Sequence, residues 1–569
     1  MGLMLQSRLI AFLFFGMISS VVAMSDTNDI NFGLSSSSQV LITSEAGDRL
    51  TVKDNIIFKQ GIADAENIIR VRPDIIKQTL SGIGTSFTES SAFVLAHLEV
   101  DKRAEVLNAI FGEQGANFSL ARTPIGATDF SVEGKYSYAE VEHDTALKHF
   151  SIAVDSDGFN SNRYPGIKDQ NYDVLPMIQQ AMQIKQQQND SDLRIIASAW
   201  TAPPWMKDIE DWYQPGSAKN NYNGTGGSLK PEYSGTFADY IVRYLDAYKT
   251  QGIDIWGLTP VNEPLGNNGQ WESMHFTPQS QRDFIKSYLG PKLHNGGYSD
   301  IQLFMLDHSR DHLEQWADTI YTDSDSAKYV SGAAVHWYES TFKVYEETLD
   351  RVHDKYPQYS IIHTEGCIDD LGKDAPAGVL DPVGYKESGW FNNDDFWWND
   401  NASDWAYSVT WQGVNTADHP IYTPVHRYAR NIIVSLNHWV TGWIDWNIVL
   451  DQRGGPNHVG NFCGAPIMID VTSGYVYYTP VYHILAQLSR TIRPGDRALQ
   501  TDKLLERLGQ DAIHSSASIN DAGLLSVQVL NTTKKAVEYA LQIGSQYAFV
   551  TIQANALQTV QMKISGLKK

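Results

Sequence analysis

Cysteine is nearly missing: the 569 residues hold two, Cys367 and Cys463. That is too few for a disulfide framework, although the two could pair with each other in an oxidising compartment. Positive charge is short as well. Lys and Arg number 44 against 66 Asp and Glu, a formal net charge of −22. Such a balance repels a partner held chiefly through phosphate, so nucleic acid is not expected as a partner. No Gly-x-Gly-x-x-Gly follows a strand-like run, which removes support for dinucleotide binding. No His/Cys cluster has metal-ligand spacing, and neither a cofactor nor a metal is expected. Past the first two dozen residues no apolar run is long enough to cross a bilayer.

That first stretch is the exception. Arg8 precedes an apolar run from Leu9 to Val22, interrupted by Gly16, Ser19 and Ser20, and Val21-Val22-Ala23 offers small residues for cleavage. Residues 1–23 therefore read as a cleavable export signal, with a secreted or periplasmic mature chain and no transmembrane anchor in it. What the chain has in excess is aromatic surface: 15 Trp, 28 Tyr and 21 Phe, 11% of the residues. With 42% hydrophobic and 19% charged residues it can bury a sizeable core, and flat apolar ligands such as sugar rings would use the remaining rings.

Residues 24–38 are small and polar and suggest a linker. Short alternating runs follow in residues 39–75, among them Val40-Leu41-Ile42 and Ile68-Ile69, and return in residues 485–569, for example Leu524–Leu530 and Val560–Ile564. Two all-β pieces at opposite ends of a chain can pair into one β-sandwich, because domain termini commonly lie close together. Between them, in residues 76–484, apolar runs suited to buried parallel strands occur at Leu80–Gly84, Phe118–Arg122, Leu193–Ser198, Ile255–Val261, Ile301–Leu306, Gly332–His336, Tyr359–Thr364 and Thr441–Asn447. Helical stripes separate several of them. Phe237, Ile241, Leu245 and Tyr248 form one such stripe, stopped by Gly252. Eight strand-plus-helix units predict an α/β fold of the (β/α)₈ class with insertions; a doubly wound open sheet is the alternative.

In a barrel, chemistry belongs at the C-terminal strand ends. One run ends in Asn262-Glu263-Pro264, where the following proline restricts the backbone. Another ends in Thr364-Glu365-Gly366. Two carboxyls across one pocket are what glycoside hydrolysis requires, one protonated for the leaving oxygen and one ionised to attack or to activate water. A separation of about 5 Å gives retention and about 6.5–9.5 Å inversion, and sequence alone leaves both open. Arg122 could hold a neighbouring carboxylate charged, and Tyr338, after His336 and Trp337, could donate to it. Trp200 and Trp446 could stack on a sugar, whereas Asp129, Asp445 and Asn461 could bind its hydroxyls. Each of these residues taken singly is as readily a core or ion-pair residue.

The motifs Asp129-Phe130-Ser131, Ala197–Pro203, Asn262-Glu263-Pro264, Ala334–Tyr338, Thr364–Cys367, Gly442–Asn447 and Gly454–Asn457 together resemble glycoside hydrolase family 30, its glucosylceramidase branch above all. The resemblance implies a (β/α)₈ barrel with a flanking β-sandwich. It also implies a retaining β-glycosidase acting on terminal β-glucosides, glycolipid or oligosaccharide, with Glu263 as acid/base and Glu365 as nucleophile. Asn262 would hold the 2-hydroxyl; Asp129, Trp200, Trp446 and Asn461 would line the glucose subsite; Arg122, His336, Tyr338 and Asp445 would support the site. A β-1,6-glucanase or β-xylosidase of the same family is the nearest alternative, and a noncatalytic carbohydrate- or lipid-binding protein a more distant one. The chain departs from the family's lysosomal pattern between Cys367 and Tyr422, where Trp390, Trp397, Trp398, Trp405 and Trp411 crowd together; this loop is expected to build pocket wall or a satellite core.

Overall fold

The computed structural model describes residues 33–188, 193–214, 225–267, 271–369, 390–399, 423–505, 508–509 and 511–566. Eight parallel strands close into a barrel: β1 (Gly82–Ser86), β2 (Leu120–Ile125), β3 (Arg194–Ala199), β4 (Gly257–Thr259), β5 (Gln302–Ser309), β6 (Gly332–His336), β7 (Ser360–Glu365) and β8 (Val440–Asn447), with β8 paired to β1. All eight expected runs fall on these strands. They are buried on both faces, which is why they read as apolar runs without alternation.

Leu120, Ile196, Phe304, Ala334, Ile362 and Ile444 form a separate apolar cluster, the layer that fills the barrel. Side chains in a strand repeat their direction every second residue. Arg122, Ser198, His336, Thr364 and Trp446 each stand two positions after a member of that layer and so reach the next level up, at the mouth. The same rule turns Asp445 outward.

A ten-stranded sheet accompanies the barrel. Its order is Thr51–Lys53, Gly33–Ser44, Ala556–Ser565, Leu524–Asn531, Ile513–Ile519, Arg497–Leu505, Asn67–Thr79, Val537–Ile543, Gln546–Ile552 and Lys59–Gln60. Both chain regions contribute, and the sheet curls until its halves share one core of Ile42, Val527 and Val560 with Tyr539, Leu541 and Ile552. Tyr539 donates to Gln558 Oε1 at 2.9 Å across that fold. The strand Gly33–Ser44 begins inside the stretch expected as linker: Gly33 pairs with Ser565 and Leu34 with Ile564, and after a bulge Ser38 pairs with Met562. Ladder pairing with a buried neighbour outweighs the poor strand preference of glycine and serine here. The helix Pro480–Thr491 joins sheet to barrel through buried Gln487, which accepts from Thr43 Oγ1 at 2.7 Å and donates to Thr559 Oγ1 at 3.0 Å. No helix among the described residues is long and apolar enough to cross a membrane. The expected export signal, residues 1–23, lies outside the described residues.

Candidate active site

The mouth of the barrel is organised around one guanidinium. Arg122, fully buried in the middle of β2, donates through Nη1 to Glu365 Oε2, through Nη2 to Asn262 Oδ1 at 2.7 Å and Asp307 Oδ2 at 2.8 Å, and through Nε to Ser198 Oγ at 3.1 Å. Burial would lower its proton affinity, but the charges of Asp307 and Glu365 outweigh that and hold it cationic. Because Asn262 Oδ1 accepts from Arg122, its amide nitrogen is left as the donor end.

A second cation faces the first. His336, at the end of β6, places Nδ1 3.1 Å from Glu263 Oε1 and Nε2 2.9 Å from Asp307 Oδ1. Burial pulls its proton affinity down, yet the Glu365 charge and the contacts to Asp307 and Glu263 push it up to about 9, so the ring is an imidazolium at neutral pH and donates on both sides. Burial raises the Glu263 carboxyl; the His336 hydrogen bond and the charges of His308, His336 and Arg122 outweigh it and leave the group below its ordinary value. For Glu365 burial wins, aided by the Glu263 charge, and its carboxyl lies above the ordinary value despite Arg122 and His336.

Glu263, His336 and Glu365 each bring a possible ligand atom within 4.8 Å of the others. A metal could in principle sit among them. The positive charge it would supply is already provided by Arg122 and His336, and both nitrogens of His336 are engaged by carboxylates. The backbone at Glu263 is strained: its φ is +45°, a left-handed conformation costly for a side chain that is not glycine. It is held there by its N–H to Asp307 O at 2.9 Å, its carbonyl to Gly266 N at 2.9 Å, and Asn262 N to Ala199 O at 2.7 Å. The constraint exceeds what the following proline alone implies.

The other expected residues divide. Trp200 and Trp446 stack on each other at 5.1 Å and 20°, with Arg122 over the Trp200 ring at 4.8 Å and Phe130 edge-on to Trp446. Each is 2% exposed, so the pair is a pocket floor and not a protruding platform. Asn461 donates to Asp129 Oδ2 at 2.9 Å, and burial raises the Asp129 carboxyl to about 7. Tyr338 donates to Cys367 Sγ at 3.4 Å. Asp445 is not placed to bind a sugar hydroxyl: it faces the helix Pro424–Asn437 and accepts from Tyr428 at 2.7 Å, because strand alternation puts Ile444 and Trp446 inward. Of the aromatic loop, Trp390, Trp397 and Trp398 are buried in the core; Trp405 and Trp411 lie outside the described residues.

Asp307 escaped the sequence reading. It accepts from Arg122, His336, Thr259 Oγ1 at 2.6 Å and Thr364 Oγ1 at 2.7 Å. Burial opposes its charge, and Arg122 and His336 hold its carboxyl far below the usual range. It reaches the mouth through a bulge in β5: Ala334 pairs with Leu306 but Val335 with His308, and Leu306 and Asp307 take φ of +70° and +62°. The expected strand stopped at Leu306, one residue short. Glu272 and His458 were missed too. They pair at 3.2 Å beside Asp129.

A family model described as the glycosyl hydrolase family 30 TIM-barrel domain matches residues 80–382 and 406–492. Lysosomal acid glucosylceramidase of Mus musculus is 29% identical over 437 residues, 76% of this chain and 71% of that one. Endo-1,6-beta-D-glucanase neg1 of Aspergillus fumigatus is 24% identical over 463 residues, 80% of this chain and 79% of that one. Among solved structures, SrfJ from Salmonella typhimurium superposes with a TM-score of 0.72 at 23% identity, covering 92% of this chain and 99% of that one.

Proposed function

Because the chain belongs to glycosyl hydrolase family 30, we propose that this glycoside hydrolase cleaves a terminal β-glucoside with retention of configuration. Glu365 is the nucleophile and Glu263 the acid and base. The observation that carries the reading is their separation: the two carboxyls offer oxygens within 4.8 Å of each other. So close an approach of one oxygen from each supports the near-set pair of retaining enzymes, ~5–5.5 Å between carboxyls, over the ~6.5–9.5 Å that leaves room for an attacking water.

In the first step Glu365, aimed by Arg122, attacks the anomeric carbon. The departing oxygen takes a proton through Glu263, beside which the His336 imidazolium stands as the adjacent donor at 3.1 Å. In the second, Glu263 removes a proton from water, and the sugar leaves Glu365 with its original configuration. Asp129, Asn262 and Asn461 bind hydroxyls over the floor of Trp200 and Trp446. The support for glucose at the chain end, and for a glycolipid aglycone, is the likeness to glucosylceramidases. The leading sequence supports export, and the ten-stranded sheet with the barrel supports a two-part division of the mature chain.

Incubation with a 2-fluoro β-glucoside followed by peptide mass mapping is expected to label Glu365, and NMR of early product to show the β-anomer. A label on another residue, or initial α-product, overturns the reading. The likeness to an endo-1,6-glucanase supports a second aglycone, another glucose in β-1,6 linkage. Comparing kcat/KM on glucosylceramide, gentio-oligosaccharides and an aryl xyloside separates the cases.

A further inference from the structure

Two cysteines behind the nucleophile strand have no part in the proposed reaction. Cys367 follows Glu365 and Gly366 and precedes the short strand Ile368–Asp369, which pairs antiparallel with Cys463–Gly464; Asp369 lies opposite Cys463 and Ile368 opposite Gly464. Both thiols are buried and their Sγ atoms stand 3.1 Å apart. A disulfide needs about 2.05 Å between sulfurs; because Cys463 lies opposite Asp369, two residues past Cys367, the thiols meet across a diagonal of the strand pair, and the gap closes by side-chain rotation with a small shift of the two backbones. Those backbones are fixed on either side: Gly366 O accepts from Trp446 N at 2.8 Å, and Cys463 N donates to Gly454 O at 3.0 Å.

We propose that Cys367 and Cys463 are a modification site, joined by a disulfide in the mature enzyme, and that the bond fastens the sugar-binding wall to the strand bearing Glu365. The wall is the loop of Asn461, two residues before Cys463, whose side chain holds Asp129 at 2.9 Å. The chemistry is thiol–disulfide exchange with a low-molecular-weight disulfide such as oxidised glutathione. One cysteine thiolate attacks a sulfur of the oxidant, forming a mixed disulfide and releasing one glutathione thiolate. The second cysteine thiolate attacks the first cysteine's sulfur and expels the other. The two cysteines lose two protons and two electrons; the oxidant gains both pairs as two glutathione thiols. Burial requires the exchange to occur while the chain folds or when the short strand pair opens.

The site is distinguishable from the proposed reaction because it is read by mass. Full-length mature protein is refolded or incubated with oxidised glutathione, alkylated in denaturant, digested and mapped. The expected result is one crosslinked peptide containing Cys367 and Cys463, neither residue alkylated, and recovery of both alkylations after dithiothreitol. Full alkylation of both after oxidation, or glutathione on each without a crosslink, overturns the proposal. In the crosslinked wild type, dithiothreitol is expected to raise KM on an aryl β-glucoside severalfold with kcat little changed, since the wall loosens while Arg122 still aims Glu365. Cys463→Ser is expected to give one KM in either condition. A wild-type KM indifferent to reduction would overturn the fastening role.

Discussion

Buried carboxyls gather in two places, and the two handle charge in opposite ways. At the barrel mouth Glu263, Asp307 and Glu365 share Arg122 and His336. In and beside the long connection after β2, Asp155 accepts from the hydroxyls of Tyr138 and Tyr248, both at 2.8 Å, Asp173 accepts from the amides of Val174 and Gly158, and Glu89 leans on Ser131 and the backbone of Val132. Burial pushes Glu89 up to about 8, Asp155 to about 7 and Asp173 to about 6, whereas Asp307 is held far below its ordinary value. Depth is common to both places; the partner differs. At the mouth the cations outweigh burial for Asp307 and Glu263, while burial still raises Glu365 above its ordinary value; where only dipoles are at hand, a buried acid stays protonated as a structural hydrogen-bonding group.

The sharpest division between the two is expected in turnover. Glu365→Gln preserves shape and removes the proposed nucleophile, and kcat on an aryl β-glucoside should fall on the order of 10⁴-fold or more, with circular dichroism unchanged. Asp155→Asn should leave kcat within about threefold, because the carboxyl it replaces takes no part in the reaction. Comparable losses in the two variants would erase the comparison.

Next in size is stability. Asp307→Asn strips one charge from a buried network and leaves Arg122 and His336 short of a counter-ion, which costs about 3–5 kcal/mol in urea unfolding at pH 6. Smaller again is His336→Gln, expected to lower kcat/KM about 10²-fold by removing the donor beside Glu263. Its folded proton affinity, about 9, is raised from 6.5. Its contribution to stability is therefore complete below about pH 6.5 and lost as pH rises through about 9, and the wild-type stability curve should lose that alkaline descent in the variant.

The barrel was legible because parallel strands covered on both faces write continuous apolar runs, and Glu263, Glu365, Arg122 and His336 because they close such runs. Period-two counting from Ile444 excludes Asp445, yet the same counting from Ile362 would exclude Glu365, which reaches the mouth where the register shifts and His336 pairs with Glu365. Asp307 was not legible in that way. Its direction depends on a bulge with two left-handed residues, Leu306 and Asp307, neither of them glycine, so no residue type marks the irregularity. Trp200 and Trp446 were recognisable as pocket aromatics, but their stacking on each other arises from β3 and β8 closing across the barrel, which no local pattern encodes. The pairing of Cys367 with Cys463 likewise depends on two very short strands far apart in the chain.

The smallest effect tests the second group of acids alone. A carboxyl whose proton affinity rises on folding binds its proton more tightly in the native chain than in the unfolded one, so its stabilising contribution is present below the unfolded value and lost as pH rises through the folded one. For Asp155 that window runs from 3.8 to about 7, with a slope of at most about 1.4 kcal/mol per pH unit for one proton. Asp155→Asn carries a neutral group at every pH. Both tyrosines donate to the same oxygen, Oδ2, which the amide oxygen can replace, and the amide N–H₂ stands where a carboxyl O–H stood, so at pH 5 the variant's stability should lie within about 1 kcal/mol of wild type. Between pH 5 and pH 7 the wild type should decline and the variant decline less, by more than the difference between them at pH 5, so that the variant is the more stable of the two before pH 7 is reached. The opposite sign, a wild type gaining on the variant as pH rises, would mean that Asp155 is ionised in the folded chain and that its tyrosines do for it what Arg122 and His336 do for Asp307.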